Sequence, residues 1–433
     1  MEKPNRLREF ARYVPLNIMG MIALSCYILA DTFFVSQGMG TDGLTALNLA
    51  IPVYSFIHGS GLMIGMGGGT RYTIRKSQQE HDRANRIFTN ALYLAGLFAL
   101  LFVIIGVLFS ETIVGVFGAK GNVYHMSATY LHVILAFAPA FLLNNVLLCF
   151  VRNDGAPQLA MAGMIGGSLS NIVLDWVFIF PCGWGIFGAA FATGLAPVIS
   201  MLILSPHFLK RKNQFRPVRC LPEPAQAGWI LSSGMPSLVT EVSSGIVMIV
   251  FNGIIMGLNG NVGVAAYGVI ANLSLVILSI YTGISQGIQP LLSRSYGAGD
   301  KAGMQVFLRY ALTLMAIFSV LIYLVVFFEA AAITEIFNSE QDTVLQAVAT
   351  EGLRLYFIAC PFAGFNIILS IYFTSTGRPL PAHVVSLLRG FIVIIPMAFL
   401  LAAVGKMQGV WCAFPVTEAL VALVGWLIFR RTL

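Results

Sequence analysis

Asp31, Asp175, Glu241, Arg389 and Glu418 each stand inside a long run of apolar residues. An ionisable group in hydrocarbon is costly, so each is a functional candidate until a partner accounts for it. Asn171 lies four residues before Asp175, one helical turn deeper on the same face. Thr193, on the next apolar run, falls at a similar depth once the spans below are drawn. Two carboxylates, an amide and a hydroxyl at one level make an oxygen cage. Such ligands suit a hard cation, here sodium. Two neighbouring carboxyl groups in low dielectric also suit a carried proton. More simply, the same groups would serve as hydrogen bonds tying helices together. Glu241 has no basic residue within a turn or two on its own run. It suits a cationic substrate, a titrating group or a structural hydrogen bond. Tyr27, one turn before Asp31, is the aromatic best placed to line a cavity. Glu418 with Arg389, and Glu351 with Arg354 three residues on, suit ion pairs.

The elements that must position these groups follow from composition. The chain is 58% hydrophobic and only 10% charged, with a mean hydropathy of +0.84. A soluble domain carries roughly 25% charged residues, so this surface must face lipid. Crossing a bilayer takes roughly 20 apolar residues as helix. Twelve such spans are predicted, at 14–36, 44–70, 87–109, 124–151, 158–181, 186–208, 228–257, 262–292, 306–330, 345–374, 382–404 and 409–429. The first is longer than a signal peptide's apolar core and has no small-residue cleavage site, so it reads as a retained helix. Spans 1 and 5 run the same way, which puts Asp31 and Asp175 both roughly 8–9 Å below the outer surface.

Basic residues gather on alternate loops: Lys3, Arg6, Arg8 and Arg12; Arg71 to Arg86; Arg152; Lys210 to Arg219; Arg294, Lys301 and Arg309; Arg378; Arg430 and Arg431. The opposite loops hold only Lys120 and Lys406. This bias puts both termini in the cytoplasm. It also accounts for the net charge of +7 without a nucleic-acid partner.

The halves repeat. Ala91-Leu92 and Gly67 fall opposite Ala311-Leu312 and Gly287 at an offset of 220. Pro139, Asn144, Gly155 and Pro157 fall opposite Pro361, Asn366, Gly377 and Pro379 at 222. Six spans separate the copies, so both point the same way. The expected fold is an all-α integral membrane protein: two six-helix lobes related by a pseudo-twofold axis along the membrane normal, V-shaped around a central cavity. Its parts are an N-terminal lobe at 1–208, a basic cytoplasmic linker at 209–227 and a C-terminal lobe at 228–433.

Other signals are weak. The six cysteines form no CxxC pair, and the six histidines have no partner at ligand spacing. The glycine-rich stretch Gly59 to Gly69 lacks the Lys-Ser or Lys-Thr of a phosphate loop, and reads as close helix packing. With no nucleophile–base arrangement, an enzyme is not expected, nor is a cofactor.

Several segments carry a family resemblance: Tyr27 to Gly38, Ala46 to Pro52, Gly167 to Phe180, Gly188 to Thr193, Gly234 to Glu241 and Gly283 to Gly297. Over nearly the whole chain they resemble the multidrug and toxic compound extrusion (MATE) transporters, in the branch of bacterial multidrug exporters. The resemblance implies an antiporter of the plasma membrane that expels small organic, often cationic, compounds in exchange for H+ or Na+, working as a monomer among membrane lipids. It places a proton or sodium site on Asp31, Asn171, Asp175 and Thr193, and an acidic cavity position on Glu241. It makes Pro15 the candidate hinge at which span 1 bends. Span 10 departs from the family members coupled through the second lobe, because Tyr356 to Thr374 contains no acid. The rival readings are a flippase for a lipid-linked oligosaccharide, which would need more cationic groups in its cavity, and a non-transporting sensor or scaffold.

Overall fold

The computed structural model describes residues 5–338 and 341–432. Lys3, from the basic tally above, lies outside the described residues. Every regular element among the described residues is helical. The first, α1 (Arg6–Ser77), would be roughly 110 Å long if straight. It folds back instead at Gly40, whose φ of 64° and ψ of −150° leave the helical region. It is followed by α2 (His81–Val116), α3 (Gly121–Ala136) and α4 (Ala138–Asn153). The last two meet at a 48° bend, where Pro139 in the first turn of α4 supplies no N–H. Then come α5 (Pro157–Ile179), α6 (Gly185–Leu209) and α7 (Pro224–Gly297), which folds back at Gly260. The chain ends with α8 (Lys301–Phe337), α9 (Thr343–Tyr356), α10 (Cys360–Ser375), α11 (Pro379–Leu387) and α12 (Ile394–Thr432). α12 breaks at Lys406.

Eight helical stretches among the described residues are long and apolar enough to cross a membrane, or nine with α3 and α4 taken as one. Their outer faces are bare hydrocarbon. Leu97, Leu100, Val107 and Leu108 on α2, with Val320 and Phe328 on α8, are more than half exposed. Patches of that kind are stable only against lipid. The chain is a multi-pass membrane protein.

The repeat is written into the backbone as well as the sequence. Left-handed residues recur at Gly40 and Gly260, Gln79 and Gly299, Gly121 and Gln341, Gly155 and Gly377, and Gly185 and Lys406. One buried cluster includes Ile57, Ile64, Phe88, Leu131 and Phe150. A second includes Tyr281, Ile288, Phe307, Phe373 and Trp411, and takes in Val14 and Ile18 of α1. α1 and α7 cross where side chains are missing. A methyl on Gly67 would overlap the carbonyl oxygen of Ile230, and one on Gly234 that of Met63. At the position repeating Gly67, a methyl on Gly287 would come 2.7 Å from the Val14 Cα. The glycine-rich stretch thus permits close packing of backbone on backbone.

The basic end of the bundle is tied by ion pairs. Arg6 reaches Asp300 at 3.0 Å and Arg294 reaches Glu9 at 2.6 Å. Both join α1 to the second half of the chain. Glu351 and Arg354 correct an expectation, for they do not pair. Glu351 accepts from the Gln408 amide at 2.7 Å, and Arg354 donates to the Phe327 carbonyl while lying over the Phe327 ring. The ring and the carbonyl on α8 offer the guanidinium a nearer seat than the acid one turn back.

The segment between α6 and α7 is shorter than its polar composition suggests, because α7 already starts at Pro224. It lies strapped to the first half. Phe215 is fully buried among Tyr72, Phe88 and Phe150. Beside it the Asp154 carboxylate accepts from Tyr72 (2.7 Å), Lys76 (2.7 Å), His207 (2.9 Å) and the Gln214 N–H (2.9 Å). Burial alone pushes this carboxyl up, but the hydrogen bonds from His207 and Lys76, with the Lys76 charge, hold it below the usual carboxylate range. The sign follows: the stabilisation is complete above about pH 5 and is lost as pH falls through the lowered value. Asp154→Asn is expected to cost about 2–3 kcal/mol. Thermal unfolding in detergent between pH 3 and 7 checks this, with the variant losing most of the wild-type acid dependence in that interval.

Candidate functional site

α1 presents Asp31, α5 presents Asn171 and Asp175, and α6 presents Thr193. These helices approach closely because small residues face their neighbours. A methyl on Gly20 would meet Met164 at 3.0 Å, and one on Gly167 would meet the Ala196 carbonyl oxygen at 3.1 Å. The four polar side chains are thereby brought together and buried: Asp175 and Asn171 fully, Thr193 and Asp31 to within 4% and 7%.

The carboxyl groups of Asp31 and Asp175 lie close enough to interact side chain to side chain. With its nitrogen facing the acid, the Asn171 amide donates to Asp175 Oδ2 at 3.0 Å and accepts from the Thr193 N–H at 3.2 Å. Oδ1 of Asp31 and Oδ1 of Asp175 are buried with no partner among the described residues. A proton between the acids, or a hard cation accepting oxygen ligands, fits this arrangement. Among the described residues no group of three or more His, Cys, Asp or Glu side chains stands at metal-binding geometry, so any cation here leans on neutral oxygens as well as the two acids.

Two tyrosines complete the site and were not singled out in the sequence. Tyr130 of α3 is buried and stands beside Thr193. Tyr54, on the return arm of α1, shares a 2.7 Å hydroxyl hydrogen bond with Tyr27. Nothing in their spacing sets them apart from other aromatics. Only the fold-back at Gly40 brings Tyr54 beside Tyr27.

Glu241 is not part of the cage. It sits on α7, half-buried, with its Cβ close against Gly59. Pro15 is exposed on α1, and the backbone stays helical from Arg6 through Pro15 until Gly40. The remaining pair does form: Arg389 reaches Glu418 at 2.7 Å, and Asn366 donates to the same carboxylate at 2.7 Å.

A family model, MatE, matches residues 17–177 and 236–400. The chain belongs to the MATE family. The matched segments include Asp31, Asn171, Asp175 and Glu241, whereas Thr193 falls in the gap between them. Among similar proteins is the multidrug export protein MepA of Staphylococcus saprophyticus, 24% identical over 96% of this chain and 91% of its own. MepA of Staphylococcus aureus is 25% identical over 95% and 90%. In fold, the chain is similar to an outward-facing multidrug resistance MATE family transporter of the MOP superfamily. That match has a TM-score of 0.92, is 24% identical and covers 98% of this chain and 95% of the other.

Proposed function

We propose that this MATE protein is a secondary antiporter. It exports small organic, often cationic, compounds across the plasma membrane in exchange for a proton or sodium ion held at Asp31 and Asp175. The observation that carries the reading is the meeting of two buried acids, each with an unpartnered oxygen. MepA, similar along nearly its whole length, is a multidrug export protein and supports the substrate class.

In this reading the breaks at Gly40, Gly260 and Lys406 are loops between spans. Counting α3 with α4, α9 with α10, and α11 with the first arm of α12 as single bent spans then gives twelve. The lobes are residues 1–208 and 228–433, joined by 209–227, and the basic end with both termini is cytoplasmic. The ion enters from outside and binds one arrangement of the lobes better than the other, without which it would drive nothing. Glu241 and Tyr27 face substrate, and Pro15 is the hinge of span 1. Pro15 lies sixteen residues from Asp31, roughly 24 Å along the helix, so a bend there changes the lobe contacts without dismantling the cage. Pro15→Ala is expected to slow export several-fold while substrate affinity stays within about two-fold. Equilibrium binding measured beside transport separates the two.

The flippase reading needs cationic groups free to hold a pyrophosphate. Arg389 is committed to Glu418, and Arg354 to Phe327. The deciding experiment is efflux of an organic cation from proteoliposomes under separately imposed pH and sodium gradients. Export driven by either gradient supports an antiporter and names the ion. Failure of both with correctly inserted protein removes the reading.

A further inference from the structure

A cavity of about 70 Å³ reaches the cage at Thr193, enough for a short file of waters. The helices around it run along the bundle, so order in sequence is order in depth. On α6 the lining runs from Thr193 through Ala196 to Ser200, and on α4 from Asn144 through Cys149 to Arg152. These stretches are roughly 10–12 Å long. At the outer end Thr193 and Tyr27 belong to the site already described. At the inner end Arg152, 2% exposed, donates to Asn17 at 2.7 Å and to Gln286 of α7 at 2.6 Å.

Three of the lining residues carry a buried polar atom with no protein partner among the described residues: Asn144 Oδ1, Ser200 Oγ and Arg152 Nε. They form a series of acceptor, hydroxyl and donor spaced down the column. Buried groups of this kind are satisfied by ordered water.

The other half of the chain treats the same position differently. At the repeat offset of 222, Asn144, Gly167 and Ala196 fall opposite Asn366, Arg389 and Glu418. There the Arg389–Glu418 ion pair and the Asn366 amide fill the space with bonded side chains. Here a glycine and an alanine leave it open.

We propose that this cavity is a water-filled proton conduit inside the N-terminal half, connecting the Asp31–Asp175 pair to the basic end of the bundle, with Arg152 as its gate. It rests on the coupling reading above, with the proton as the ion. A proton leaves the acid pair for the first water, and the chain of waters passes a proton on at its inner end. No water is consumed. The Arg152 charge repels that proton while Gln286 and Asn17 hold the guanidinium in the column. Movement of α7 away from α4 withdraws Gln286 and frees the gate, so the proton leaves only when the protein opens toward its basic end.

The test is Asn144→Leu with Ser200→Ala, which keeps nearly the same volume but makes the column apolar and dry. Substrate binding should persist, while export driven by a pH gradient should slow at least about ten-fold. Conversely, Arg152→Gln should leak protons into liposomes without substrate, read with an entrapped pH dye. Wild-type protein at a resolution that shows water should carry ordered waters joining Asn144, Ser200 and Arg152. A dry cavity, a double variant exporting at the wild-type rate, or a wild type driven by sodium alone each overturns the conduit. Wild type driven by no ion gradient sinks the coupling reading itself, a different outcome from coupled wild type with an unaffected double variant. Should the double variant not fold, the water structure and the leak assay decide.

Discussion

Asp31→Asn is expected to insert normally and to lose ion-driven export by a factor of at least about one hundred, and Asp175→Asn to do the same. The amide preserves size and most hydrogen bonding. In the first variant the new amide would still face the Asp175 carboxyl, so the helices stay packed. What disappears is the ability of the pair to exist with and without its ion. A site that no longer changes charge cannot favour one arrangement of the protein over another, and the substrate then only equilibrates. Thr193→Val, which removes one neutral oxygen, should cost far less. The measurement is substrate efflux under an imposed gradient, beside counterflow without one. Counterflow surviving while driven export fails is the expected pattern. Driven export by either variant at more than half the wild-type rate would remove the cage from the mechanism.

Arg389→Leu is expected to be the most destabilising single change in the second half. Glu418 is buried to 1%, and its Oε1 accepts from both Nε and Nη2 of Arg389, at 3.1 and 2.7 Å. Without the arginine that charge keeps only the Asn366 amide. Removing one partner of a buried pair costs about 3–5 kcal/mol, whereas replacing both by apolar residues is often close to neutral. Arg389→Leu with Glu418→Leu should therefore recover most of the loss. The comparison is thermal unfolding of the four proteins in detergent. If the double variant instead unfolds at the sum of the single losses, the two residues act independently and the pairing argument fails.

The sequence carried the cage because its signal was depth. Asp31, Asn171, Asp175 and Thr193 could be set at one level by counting residues from the ends of apolar runs, and the helices do bring them together. The same counting could not find Tyr130 or Tyr54, which arrive from α3 and from beyond the fold-back at Gly40. Nor could it find Asp154, whose four partners come from α1, α6 and the linker. It sits among basic residues in a loop, where an acid looks solvated. The linker conceals its packing for a related reason. Its polar composition hides Phe215, and one aromatic ring is enough to anchor a strap. Glu351 and Arg354 show the limit of local spacing, since neighbours on α8 and α12 outcompeted a partner one turn away. The breaks at Gly40 and Gly260 were legible only as polarity dips; their matching dihedral angles required coordinates.

The bare crossing of α1 on α7 has a mechanical consequence. Where Gly67 and Gly234 meet peptide carbonyls, backbone lies directly on backbone, so that point can serve as an axle. For a transporter that rocks, resistance to opening then comes from buried bonds such as Arg152–Gln286 and, at the rim, from Arg6–Asp300 and Glu9–Arg294. Those rim contacts are partly wet and weaken as electrolyte rises. Salt at the basic face would thus act as a lubricant for opening at that end, through latches at the rim and not at the buried acids.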